Sequence, residues 1–198
     1  MSLRIFSLVL ILTSLVWAAA SYHQKIPVDL NHDGTQEIVG LRVYTLEGVK
    51  LGQLVVLNQQ GQQLWSAPKV KTPWDESPWA FLGEFDLGDI SFLDDYNQDG
   101  KVDLVATCQK SDVRPTCFKL FHWDGKAFVF DRQAMLVAQP QKPATFAWTA
   151  YDPAATRWID GIKKVAPGRY QAQLAEIPKP SETVSMRYHP GEGFILLP

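Results

Sequence analysis

Cysteine is almost missing from this chain: of 198 residues only Cys108 and Cys117 are cysteine. No Cys-x-x-Cys spacing occurs, which argues against a redox-active dithiol. Basic residues are few and dispersed. The 19 Lys and Arg are outnumbered by 21 Asp and Glu, for a net charge of −2, and the clustered positive face that grips a nucleic-acid backbone is lacking. Catalytic signatures are lacking as well. There is no Gly-x-Ser-x-Gly elbow, no His-Glu-x-x-His and no phosphate-cradling glycine loop, and His23, His32, His122 and His189 are scattered. The carboxylate pairs Asp75-Glu76 and Asp94-Asp95 are adjacent in sequence, and neighbours on a strand point to opposite faces. The expected protein is therefore not an enzyme.

Long apolar runs are confined to the N-terminus. Arg4 precedes an apolar stretch from Ile5 to Trp17, short of the roughly 20 residues that cross a bilayer as a helix. It ends in Ala18-Ala19-Ala20, the small-residue pattern of a cleaved secretory signal. We expect residues 1–20 to be a signal peptide and residues 21–198 a single β domain, secreted or periplasmic, with no membrane span after cleavage. Losing Arg4 leaves 18 Lys and Arg against 21 Asp and Glu. In an oxidising compartment Cys108 and Cys117 are expected to pair. A disulfide closing so short a loop is worth about 3 kcal/mol in the chain-entropy model, and it reads as a staple across a hairpin.

What the chain does have is strand sequence cut by turns. Glu37 to Tyr44 and Gly52 to Leu57 are rich in β-branched and apolar residues, and Asn58-Gln59-Gln60-Gly61 turns the chain back through Gln62 to Trp65. Val102 to Cys108, Phe118 to His122 and Ala127 to Phe130 repeat the arrangement, with a type I′ turn expected at Asp124-Gly125. Thr145 to Tyr151, Arg169 to Ile177, Val184 to Tyr188 and Phe194 to Leu197 read as further strands, and a short helix is weighed for Asp131 to Val137. Prolines 140, 143, 153, 167, 178 and 180 disfavour long helices throughout this part. The turn glycines Gly61, Gly125 and Gly191 lie 64 and 66 residues apart, which predicts three units, roughly 26–68, 79–132 and 145–198.

Two acidic loops give these units their chemistry. Asp95-Tyr96-Asn97-Gln98-Asp99-Gly100-Lys101-Val102-Asp103 has a near copy in Asp29-Leu30-Asn31-His32-Asp33-Gly34-Thr35-Gln36-Glu37. Side-chain oxygens fall at positions 1, 3, 5 and 9, and position 7 offers the carbonyl of Thr35 or Lys101. Calcium takes six to eight oxygens, and a glycine at position 6 permits the sharp reversal. The predicted ligands are Asp29, Asn31, Asp33, Thr35 and Glu37 for one Ca2+, and Asp95, Asn97, Asp99, Lys101 and Asp103 for a second. His32, at position 4, is expected to point to solvent. Around Asp160-Gly161 a third loop has decayed, with Trp158 and Ile162 where ligands are needed.

An EF-hand needs a bidentate carboxylate at position 12, where this chain has Gly40 and Ala106. Loop followed by strand instead resembles the calcium loops of FG-GAP or VCBS-type repeats, as in the β-propeller of integrin α subunits. Asp95 to Asp103 matches that pattern position by position, and Glu37 replaces the last aspartate of the first loop. No Gly-Ala-Pro follows; Ala106-Thr107-Cys108 stands in its place. The resemblance implies an all-β fold of antiparallel, blade-like sheets in about three propeller-type units. A closed propeller typically has four or more blades, so the expected assembly is an incomplete or atypically closed β-propeller, or one completed by another chain.

The expected function is a calcium-binding module with a non-catalytic interaction or adhesion role, the ion being structural. Its partner is a protein or glycan, not nucleic acid, and an oligomer is compatible with the sequence. The alternative is a carbohydrate-binding protein, because Trp74, Trp79, Trp148 and Trp158 lie in or beside proline-rich stretches where a ring can stack on a sugar. Core filling is the competing explanation of those rings.

Overall fold

The computed structural model describes residues 20–73, 77–81, 89–107, 118–137, 145–146, 157–176, 180–189 and 193–197. The expected signal peptide up to Ala19, both cysteines, Trp74 and Trp148 lie outside these residues. Every described element is a β-strand, and all pairing is antiparallel. The first sheet joins β1 (Tyr22–Val28), β2 (Glu37–Leu46), β3 (Val49–Leu57) and β4 (Gln63–Ser66) in sequential order. The second joins β5 (Ile90–Asp94), β6 (Asp103–Thr107), β7 (Phe118–Trp123), β8 (Phe128–Val137) and the two-residue β9 (Thr145–Phe146). The third joins β10 (Arg157–Ala166), β11 (Arg169–Glu176), β12 (Glu182–His189) and β13 (Gly193–Leu196). None of these sheets closes on itself.

The sheets pack face to face because each turns an apolar face to its neighbour, the middle one on both sides. From the first sheet Val39, Leu41, Leu54 and Val56 meet Ile90, Leu93, Leu104, Ala106, Phe121 and Trp123 of the second. The other face of the second sheet carries Phe92, Val105, Phe118 and Leu120, which pack on Ile159, Ile162, Tyr170, Ala172, Met186 and Phe194 of the third. The middle sheet therefore reads as nearly continuous hydrophobic runs, as expected for strands buried on both faces. At the seam between the first two sheets, residues 66 positions apart touch. Gln24 exchanges side-chain hydrogen bonds with the backbone of Ile90 at 2.7 and 3.2 Å, and His23 Nε2 lies 2.6 Å from Asp89. The sequence period is thus a spatial one.

Four local readings are corrected. The strand β1 precedes the first loop, so each of the first two loops connects the first and second strands of its sheet. Glu47 and Gly48 both have positive φ, 51° and 83°, and form the two-residue turn of the β2–β3 hairpin, which extends β3 back to Val49. At Asp124-Gly125 the turn is longer than type I′. Only Gly125 has a positive φ there, Asp124 N–H bonds Ala127 O, and Asp124 Oδ1 accepts from the amides of Lys126 and Ala127. Those amides hold the Asp124 carboxyl below its ordinary range. Asp131 to Val137, weighed as helix, belongs to β8.

The supposed decayed loop at Asp160-Gly161 is a β-bulge within β10, where register shifts between Ile159 and Gly161. An extra residue lets Ile159 and Ile162, three apart, both turn toward the second sheet. The same device in β5, with a shift between Ile90 and Phe92, turns Ile90 and Leu93 toward the first sheet. Asp160-Gly161 thus corresponds to the bulged first strand of the preceding unit, not to its loop.

Gly40 marks a close approach. A Cβ there meets the carbonyl oxygen of Gln24 at 3.0 Å and a ring carbon of Tyr22 at 3.4 Å. Since a backbone atom must move, Gly40→Val is expected to cost about 1 to 3 kcal/mol through loss of β1 pairing. A melting curve checks it; no change would mean that β1 is not held as described.

Candidate cation loops

Both loops have one backbone design. Position 4 is left-handed in each, His32 at φ 54° and Gln98 at 61°, and so is position 6, Gly34 at 85° and Gly100 at 84°. Residues with a Cβ rarely adopt such φ values, so the repetition is specific. The hydrogen bonds repeat too. The Asp29 oxygens accept from Asp33 N at 3.1 Å and Gly34 N at 2.9 Å; those of Asp95 accept from Asp99 N and Gly100 N, both at 2.9 Å. Asp33 Oδ1 caps Thr35 N at 2.7 Å, as Asp99 Oδ1 caps Lys101 N at 2.9 Å. His32 is exposed, as expected. A carboxylate has about four acceptor sites, so these caps leave lone pairs for a cation.

Burial pushes the Asp29 carboxyl up, but hydrogen bonds from Gly34 and Asp33, with His32 nearby, more than reverse this and leave it below the usual range.

Position 9 separates the loops. Glu37 is buried and its Oε2 accepts Leu30 N–H at 3.0 Å. Asp103 is 0% exposed; its Oδ1 lies 2.5 Å from His122 Nδ1, and its Oδ2 has no hydrogen-bond partner. Burial raises the Asp103 carboxyl above its ordinary range; the His122 contact opposes this, and the charges of Asp99 and Asp95 add to the rise. A buried carboxylate oxygen without a partner, in a loop that also carries Asp95 and Asp99, is the kind of hard oxygen donor that a divalent cation takes. Among the described residues no three Asp, Glu, His or Cys side chains are gathered into a metal cluster. Each loop instead strings its carboxylates along one turn.

Each loop also leans on the following sheet. Trp123 Nε1–H donates to Asn31 Oδ1 at 2.9 Å. Tyr96, next to Asp95, packs against Tyr188 and Phe194 with ring centroids 4.8 and 5.1 Å away. On its other side Asp94 accepts from Lys164 Nζ at 2.8 Å and from Tyr170 O–H at 2.7 Å. Burial first, then the Asp94 hydrogen bond, pushes the Tyr170 hydroxyl far above its ordinary range, so it stays protonated and donates. Asp94, Tyr96, His122 and Trp123 were not among the expected site residues. His122 and Trp123 precede the Asp-Gly turn, and the two strands expected at Val102 to Cys108 and Phe118 to His122, on either side of a hairpin, were the available signal.

Of the tryptophans considered for stacking on a sugar, Trp79 is committed to protein contacts, with its ring 5.0 Å from Phe121 and 5.8 Å from Trp65. Trp158 lies on β10. Comparison of the chain with family models, curated proteins and solved structures yields no match.

Proposed function

We propose that this chain is a secreted or periplasmic calcium-binding protein of FG-GAP/VCBS-like units, stacked as an incomplete propeller, with a non-catalytic interaction or adhesion role. The observation that carries this reading is the duplicated loop, identical in its left-handed positions and its caps, with one buried carboxylate oxygen unspent at Asp103. Calcium in such a loop neutralises carboxylates that otherwise repel and so braces the strand ends. Asp95, Asn97, Asp99 and Asp103, with the Lys101 carbonyl, hold one ion. The Asn oxygen is engaged in both loops, Asn31 by Trp123 and Asn97 by the Asp99 amide; the first loop takes a second ion more weakly, because among the described residues only the second loop holds a buried carboxylate oxygen without a partner. Without a position-12 carboxylate, affinities fall near the range of extracellular modules, roughly 10⁻⁴ M.

Calorimetric titration of the chelator-treated protein tests this. Asp99→Ala is expected to remove the tighter event and Asp33→Ala the weaker one, and each lowers the melting temperature measured in calcium. A double variant that melts like the parent in calcium would end the structural role.

A further inference from the structure

We propose that His122 is the positioning residue of the second loop, holding Asp103 so that its remaining oxygen serves the ion; this rests on the calcium reading above. Three strands define the arrangement. Asp103 on β6 pairs with Asp94 of β5 on one side and with His122 of β7 on the other, so the imidazole stands directly opposite the carboxylate. Nδ1 sits 2.5 Å from Oδ1. An ion ligand is an ionised carboxylate, which accepts only, and so Nδ1 carries the hydrogen and donates. A planar carboxylate pinned through Oδ1 has a fixed orientation, and Oδ2 is the buried oxygen left without a hydrogen bond.

The first loop solves the same problem differently. There Glu37 is tied by Leu30 N–H, an amide of its own loop, and no imidazole is recorded against it. The second loop delegates the task to another strand, so its ion affinity depends on a residue far along the sequence. Histidine also suits the task in kind. An imidazole orients the carboxylate through a single N–H, whereas a permanently charged Lys or Arg at this place would compete with the ion. Outer-shell partners of this type commonly carry 10- to 100-fold in metal affinity.

The test is calcium titration of the chelator-treated protein carrying His122→Phe, which keeps a ring and removes the donor, or His122→Asn, which supplies an amide N–H near the place of Nδ1. His122→Phe is expected to weaken the event that Asp99→Ala abolishes by roughly 10- to 100-fold, and His122→Asn to stay within about threefold of the parent. The event that Asp33→Ala abolishes should be unmoved in both. A merely structural histidine would not be rescued by the amide, nor would its loss single out one ion. Should His122→Phe fail to fold, His122→Gln and His122→Leu repeat the comparison with and without a donor. Calcium uptake indifferent to these changes, or equally weakened with and without the donor, overturns the assignment of His122 alone. A parent that takes up no calcium overturns the calcium reading and this one with it.

Discussion

Asp103→Asn is expected to stabilise the calcium-free protein and to destabilise the calcium-loaded one. The side chain is fully buried and one oxygen is unpaired. An unsatisfied buried polar group costs about 1 to 3 kcal/mol, and more when charged. Replacing the carboxylate by an amide removes the buried charge in chelator and leaves an unpaired neutral NH2 at the place of Oδ2, so the gain is the charged part of that penalty, and the amide oxygen still accepts from His122. With calcium present the balance reverses, because a neutral amide oxygen is a poorer ligand than a carboxylate. The parent gains about 2.7 kcal/mol from an ion at one hundred times its dissociation constant, and the variant forfeits much of this. Two melting curves, in chelator and in calcium at about one hundred times the dissociation constant, decide the matter. Shifts of the same sign in both would mean that Asp103 is not an ion ligand.

Phe121→Ala is expected to be the most damaging single change in the packed interior. Phe121 is 0% exposed, and its ring lies 5.0 Å from Trp79, 5.4 Å from Phe130 and 6.0 Å from Phe81. It thus ties β7 to β8 and to the segment that follows the first sheet. Among the described residues that segment is also held by Val70 and Ala80, which pack on Val49 and Leu51 of the first sheet. Phe81 makes one bridge to Gly52, and buried Lys119 Nζ donates to the carbonyls of Ser77 and Ala80 at 3.2 and 3.1 Å. Removing a buried phenylalanine costs about 3 to 5 kcal/mol, which at about 2 to 4 °C per kcal/mol is a fall of roughly 6 to 20 °C. The loss should appear equally with and without calcium. A calcium-dependent loss would place Phe121 in the machinery of the loops instead.

The all-β class and most strands could be read directly, since alternation and β-branched content survive burial on one or both faces. The loops were legible for a sharper reason. Gly34 and Gly100 occupy conformations that favour glycine, and the aspartates of the pattern cap those turns. What escaped the sequence was long-range. The strand β1 lies before the first loop and outside the expected strands, and it carries Pro27, which strands tolerate at a sheet edge. The bulge at Asp160-Gly161 imitated a worn loop because bulges and turns draw on the same small and acidic residues. The contacts Trp123 to Asn31 and Tyr96 to Phe194 span 92 and 98 residues, and only the stacking order of the sheets brings their partners together.

The outward side of the third sheet differs in kind from the faces behind it. Lys163, Thr183, Ser185 and Arg187 are exposed there and Gln171 and Gln173 half-exposed, with Thr183 Oγ1 donating to Gln173 Oε1 at 2.9 Å. Another layer settling on this side would strip water from two cations and a row of amides and hydroxyls, and would recover little grease in return. Among the described residues, then, this side is a wetted wall, unlike the apolar faces by which the sheets layer on one another.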